Sequence, residues 1–178
     1  GGSFGLALRQ AGAVRDVVGV DVAEDIIQKA RECGAIDRGS LDVKEAMVGA
    51  DIVVLAMPVR TIIELLPDLV LSLPRETLLF DLGSTKGEIS RAIDDLDHPV
   101  RYVGGHPMAG TEHAGIEAAQ ATLFSSATFA LVPHPPVDDA GISILTDIIR
   151  RIGANPTVIS ADRHDRIVAK TSHVPYLL

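Results

Sequence analysis

"GGSFGLALRQAGAVRDVVGVD" (residues 1–21) decides how the rest of the chain is read. Two glycines lead directly into apolar residues at helical spacing, Leu6, Ala7 and Leu8, with Gly12 as a stop. A short apolar run follows and closes on an acid, Asp21. A glycine turn, a helix and a strand ending in an acid about 20 residues on form the second half of a dinucleotide-binding unit. Gly1 is then the last glycine of G-x-G-x-x-G, where the missing side chain lets helix and strand approach closely. Gly1, Gly2 and Ser3 open a helix whose free N–H groups and positive dipole end face a pyrophosphate, with the Ser3 hydroxyl in support. Asp21 is placed to accept hydrogen bonds from the adenosine ribose hydroxyls and to repel a 2′-phosphate, which favours NAD over NADP. The plainer alternative is a simple turn at residues 1–2, with Asp21 as a helix N-cap.

The strand that would feed this glycine turn does not precede it, and the sequence stops at "SHVPYLL" within a helical pattern. Both ends are therefore expected to be cut from a longer protein. The 178 residues suffice for one domain, or one domain and the start of another. Hydrophobic residues at 47% with aromatics at only 3% imply a globular core of Val, Ile, Leu and Ala. A net charge of −8 argues against nucleic acid as a partner, because phosphate binding needs a basic face. No apolar run reaches the ~18 residues of a membrane span, so no membrane partner is expected. The single cysteine, Cys33, has no internal disulfide partner and is expected to be a buried or half-buried apolar residue. A cytoplasmic location is expected.

Strand-like and helix-like segments alternate along the whole chain. Apolar runs at 16–21, 51–57, 77–82, 101–105, 127–133 and 156–160 predict strands. Helical patterns fall between them, including 23–33, 43–50 and a stretch at 59–73 expected to break near Pro67. A long helix is expected from Ala161. This alternation predicts an α/β fold, a Rossmann-type doubly wound, mostly parallel sheet. The expected domain division is residues 1–160 as an NAD-binding domain, with 161–178 beginning a helical C-terminal domain that is largely absent from this chain.

Ligands in such folds bind at the carboxyl ends of the strands. "LAMPVRT" (55–61) puts Pro58 and Val59 there, placed to pack on the nicotinamide side of a cofactor. "DLGSTKGE" (81–88) supplies Gly83 for a tight backbone path, then Ser84, Thr85 and Lys86 as polar groups. Lys86 reads as an anion-binding or catalytic cation, or as a merely exposed lysine behind a Ser84 helix cap. "VGGHPMAGTEHAG" (103–115) delivers His106 beside that loop. A hydroxyl-binding group next to a base is what hydride removal from an alcohol carbon requires. No metal site is expected.

In this order, "GGS", "VVGVD", "LAMPVRT", "DLGSTKGEI", "GGHPMAGTEHAG" and "DRIVAKTSHVPYLL" resemble the prephenate dehydrogenase family, which includes arogenate and cyclohexadienyl dehydrogenases. The resemblance covers essentially the whole chain and implies NAD-dependent oxidative decarboxylation of prephenate to 4-hydroxyphenylpyruvate in tyrosine biosynthesis. It makes His106 the base that takes the proton of the substrate's 4-hydroxyl, for which a free imidazole pKa of ~6.5 is suited. Ser84 becomes the serine that bonds this hydroxyl and orients the histidine. Thr111, His173 and Tyr176 fall among the substrate-binding positions, and His164 is placed to approach the cofactor. Where the family often has "SHLPH", this chain has "SHVPY", so Tyr176 replaces a second histidine and puts the substrate preference in doubt. The family's helical domain forms a homodimer and supplies an arginine for the substrate carboxylate. Prephenate and arogenate remain alternative substrates. A different NAD(P)-dependent dehydrogenase, or a catalytically silent dinucleotide-binding module, would not need His106.

Overall fold

The computed structural model describes residues 1–110 and 114–173. Its strands are β1 (Val18–Val20), β2 (Arg38–Ser40), β3 (Ile52–Leu55), β4 (Leu78–Asp81), β5 (Tyr102–Pro107), β6 (Thr128–His134) and β7 (Asn155–Val158). The helices are α1 (Gly2–Gln10), α2 (Glu24–Glu32), α3 (Val43–Met47), α4 (Val59–Val70), α5 (Gly87–Asp94), α6 (Asp139–Arg151) and α7 (Ala161–Val168). A short 3-10 turn at Ile116–Ala118 and a π-helical segment at Ala169–His173 complete the description. β1 pairs with β2 in parallel, and β3-β4-β5-β6-β7 form a second sheet in that order. Among the described residues, only the β5–β6 pair is antiparallel; the other neighbours run parallel.

β4 explains the layering. All its residues are buried, and a period of two sends Leu78 and Phe80 to one face and Leu79 and Asp81 to the other. On the first face Phe80 packs with Phe4, Ala7 and Leu8 of α1 and with Leu145 and Ile149 of α6. On the second, Leu79 packs with Ile62 and Leu66 of α4 and Ile89 and Ile93 of α5. Helices thus cover both faces of a mostly parallel sheet, the Rossmann-type doubly wound α/β class expected from the alternating pattern.

Several local expectations are corrected. α4 runs on through Pro67, because Ile62, Leu66, Leu69 and Val70 form one buried stripe whose burial outweighs one missing helical hydrogen bond. β2, with sequence "RGS", has no apolar signal; it exists through its pairing with β1 and the seat of Gly39 against Ile27. Cys33 is exposed, at the C-terminal end of α2. A close approach without a signal in the sequence occurs at Gly5, where a Cβ would lie 2.3 Å from the Ala35 carbonyl oxygen. A Cβ on Gly1 would meet Ala56 Cβ at 3.4 Å.

Candidate active site

β3, β4 and β5 are parallel neighbours, so their carboxyl ends share one edge of the sheet. Pro58 caps α4 directly after β3, and Val59 begins that helix. A Cβ on Gly83 would stand 3.1 Å from Val59 Cγ2, so the loops after β3 and β4 are in contact. The N-terminus of α1 joins them through the approach of Gly1 to Ala56. Gly1, Val59 and Gly83 are thereby grouped with Pro58, and exposed Ser84 stands on the same loop as Gly83.

Asp21 is half-buried immediately beyond β1, and its Oδ1 accepts from the Ala23 N–H at 3.0 Å. It makes an Asx turn two residues before the true N-cap of α2, Ala23, and does not itself cap the helix. The Ser3 hydroxyl oxygen accepts from the Gln120 N–H at 3.1 Å, which leaves its hydrogen for another acceptor. Gln120 belongs to the segment after β5, which also presses Ile116 against Gly2. α1 has no side-chain N-cap and no acid in its first turn. Its first amides therefore suit an anion, and with Asp21 at the end of β1 these residues fit a dinucleotide.

Beneath the edge lies a buried polar cluster. Lys86 is 0% exposed, and its ammonium pairs with the Asp81 carboxylate, also 0% exposed. Lys86 Nζ also donates to the Gly105 carbonyl at 2.7 Å, Tyr102 Oη donates to Asp81 Oδ2 at 2.6 Å, and the Gly83 N–H donates to Asp81 Oδ1 at 2.6 Å. Burial pulls the Lys86 pKa down against the opposing pull of Asp81. Burial first, and then the Asp81 charge, push the Tyr102 phenol up, so it stays a donor. Neither sequence expectation for Lys86, exposed or ligand-binding, is met: its ammonium is spent inside the protein. The glycines of "GGH" make room for this cluster. A Cβ on Gly104 would come within 2.8 Å of Lys86 Cδ, and one on Gly105 within 2.5 Å of the Asp81 carbonyl oxygen.

His106 is the next residue of β5, within the strand rather than beyond it, and paired in register with Ala130. Its Nδ1 lies 2.8 Å from His164 Nε2, with the rings edge-to-face at 5.0 Å between centroids. His164 is 3% exposed, and its Nδ1 lies 2.7 Å from Asp165 Oδ1. Asp165 in turn accepts from the Lys86 N–H at 2.9 Å and the Gly87 N–H at 2.8 Å, at the start of α5. Burial pushes the Asp165 carboxyl up, but the Gly87, His164 and Lys86 hydrogen bonds outweigh it and hold it below the usual range. Sequence reasoning missed the His106–His164–Asp165 line. The only local signal was a "HD" pair on a helix otherwise taken as an entry to another domain. Thr111 and Tyr176 lie outside the described residues. The backbone of His173 belongs to the π-helical segment, and its side chain lies outside the description.

A doubly wound sheet with the α1 N-terminus and an acid after β1 at the carboxyl ends of its strands fits the class of nucleotide-binding domains. Residues 4–158 match the family model "Prephenate dehydrogenase, nucleotide-binding domain", and the chain belongs to that family. It is 29% identical over 180 residues to the prephenate dehydrogenase of Bacillus subtilis, covering 100% of this chain and 48% of that protein. Its fold matches the Aquifex aeolicus prephenate dehydrogenase complex with hydroxyphenyl propionate and NAD+ at a TM-score of 0.90 and 30% identity, covering 99% of this chain and 62% of that one. It matches the arogenate dehydrogenase of Synechocystis at a TM-score of 0.89 and 28% identity, covering 98% and 61%. The chain spans about half the length of the curated relatives it matches. Among the described residues, no helix is long and apolar enough to cross a membrane.

Proposed function

We propose that this chain is the cofactor-binding and proton-abstracting part of an NAD-dependent prephenate dehydrogenase, with arogenate as the alternative substrate. The observation that carries the proposal is His106 near the end of β5, tied through His164 to Asp165, which in turn accepts from the Lys86 and Gly87 amides of the loop after β4. Gly1, Gly2, Ser3, Asp21, Pro58, Val59 and Gly83 are assigned to NAD. The α1 amides would hold the pyrophosphate and Asp21 the ribose hydroxyls. Bound NAD supplies the hydride acceptor. His106 takes the proton of the ring 4-hydroxyl, and Ser84 bonds and orients that hydroxyl. As proton and hydride leave, the ring carboxylate departs as CO₂ and the ring becomes aromatic. The protein's share of the step is therefore positioning and the base. Thr111, His173 and Tyr176 are assigned to the substrate.

Residues 1–160 are assigned as the NAD-binding domain and 161–178 as the start of the helical domain. A cytoplasmic homodimer is the assigned assembly. The test is NADH formation at 340 nm by the full-length protein with prephenate and with arogenate. Turnover of either supports the proposal, whereas NAD binding without turnover of either overturns the catalytic part.

A further inference from the structure

A buried histidine must place both ring nitrogens against partners, and His164 places its two on Asp165 and on His106. The protons on this line have one consistent arrangement while both imidazoles are neutral. The Asp165 carboxylate only accepts, so His164 carries its hydrogen on Nδ1. Nε2 of His164 is then an acceptor, and His106 must donate to it from Nδ1. That leaves the basic lone pair of His106 on Nε2.

We propose that His164 and Asp165 are positioning residues, fixing His106 in the tautomer whose Nε2 is the base. This rests on the proton-abstracting role of His106 argued above. Asp165 is itself locked by the Lys86 and Gly87 amides at the start of α5, so the line is anchored to the loop that carries Ser84. When His106 gains a proton, its imidazolium faces a neutral imidazole backed by a carboxylate. This is the logic of a Ser-His-Asp triad with one imidazole inserted. It also explains why α7 meets the sheet edge: its first turns deliver both residues of the pair.

The test uses the full-length protein with His164→Phe, which keeps the ring and loses both bonds, and His164→Gln, whose carbonyl can still accept from His106 Nδ1. Histidine ¹⁵N shifts at about pH 8, above the ordinary imidazole range, read the tautomer directly. The expected result is a protonated Nδ1 and bare Nε2 on His106 in the wild type and in His164→Gln. In His164→Phe the Nε2-protonated form should appear. The expected kinetics are a kcat about 10²-fold lower in His164→Phe, recovered in large part by His164→Gln, with Kd for NAD unchanged. A bare Nδ1 on wild-type His106, or wild-type kcat in His164→Phe, overturns the proposal. If the wild type turns over neither substrate, the catalytic role of His106 fails, and the ¹⁵N shifts still decide whether the pair sets its tautomer.

Discussion

Replacing Lys86 by Met would leave the Asp81 carboxylate buried without its cation. Breaking a buried pair on one side costs about 3–5 kcal/mol. For a chain of this size that is a fall in Tm on the order of 10 °C. Denaturant unfolding of Lys86→Met against wild type measures it, and an unchanged midpoint would contradict the structural role given to this lysine. The sequence displays Lys86 as a cation in a polar, glycine-containing loop, and such lysines are ordinarily exposed. What buries it is Asp81, closing an otherwise apolar strand, together with Tyr102 and the space left by Gly104. Those partners lie on two strands, and no local pattern announces that they share a face. His106 was legible because its neighbours "GG" and "P" are unusual in a strand. His164 was not legible as its partner, since 58 positions separate the two.

At the scale of elements, α5 begins without a side-chain cap from its own sequence, because Asp165 of α7 supplies the acceptor. The folded state binds the Asp165 proton less readily than the unfolded chain does. The stability from this cap is therefore complete above the ordinary Asp value of ~3.9 and is lost as pH falls through the lower folded value. The Lys86 and Gly87 amide resonances should titrate together, with a midpoint below ~3.9. A midpoint at or above that value would contradict the cap. Strands with continuous apolar runs, such as β3 and β4, could be read directly. β2 could not, because its "RGS" is held by pairing with β1 and not by its own burial. The break expected at Pro67 failed for a similar reason: local propensity yields to a buried stripe along the helix.

Across the whole molecule, the class of fold followed from the alternation of runs and amphipathic stretches, and the ligand edge followed from the class. The antiparallel entry of β6 was not legible, since strand direction is set by connections and not by the composition of a strand. The residues proposed for the site come from distant parts of the chain: α1, the ends of β1, β3, β4 and β5, and the start of α7. The most direct measurement of the account is the kcat of full-length His106→Asn at saturating NAD, followed at 340 nm beside the wild type. The prediction is a fall of roughly 10²–10⁴ with the Kd for NAD unchanged. A variant as active as the wild type would show that His106 is not the base.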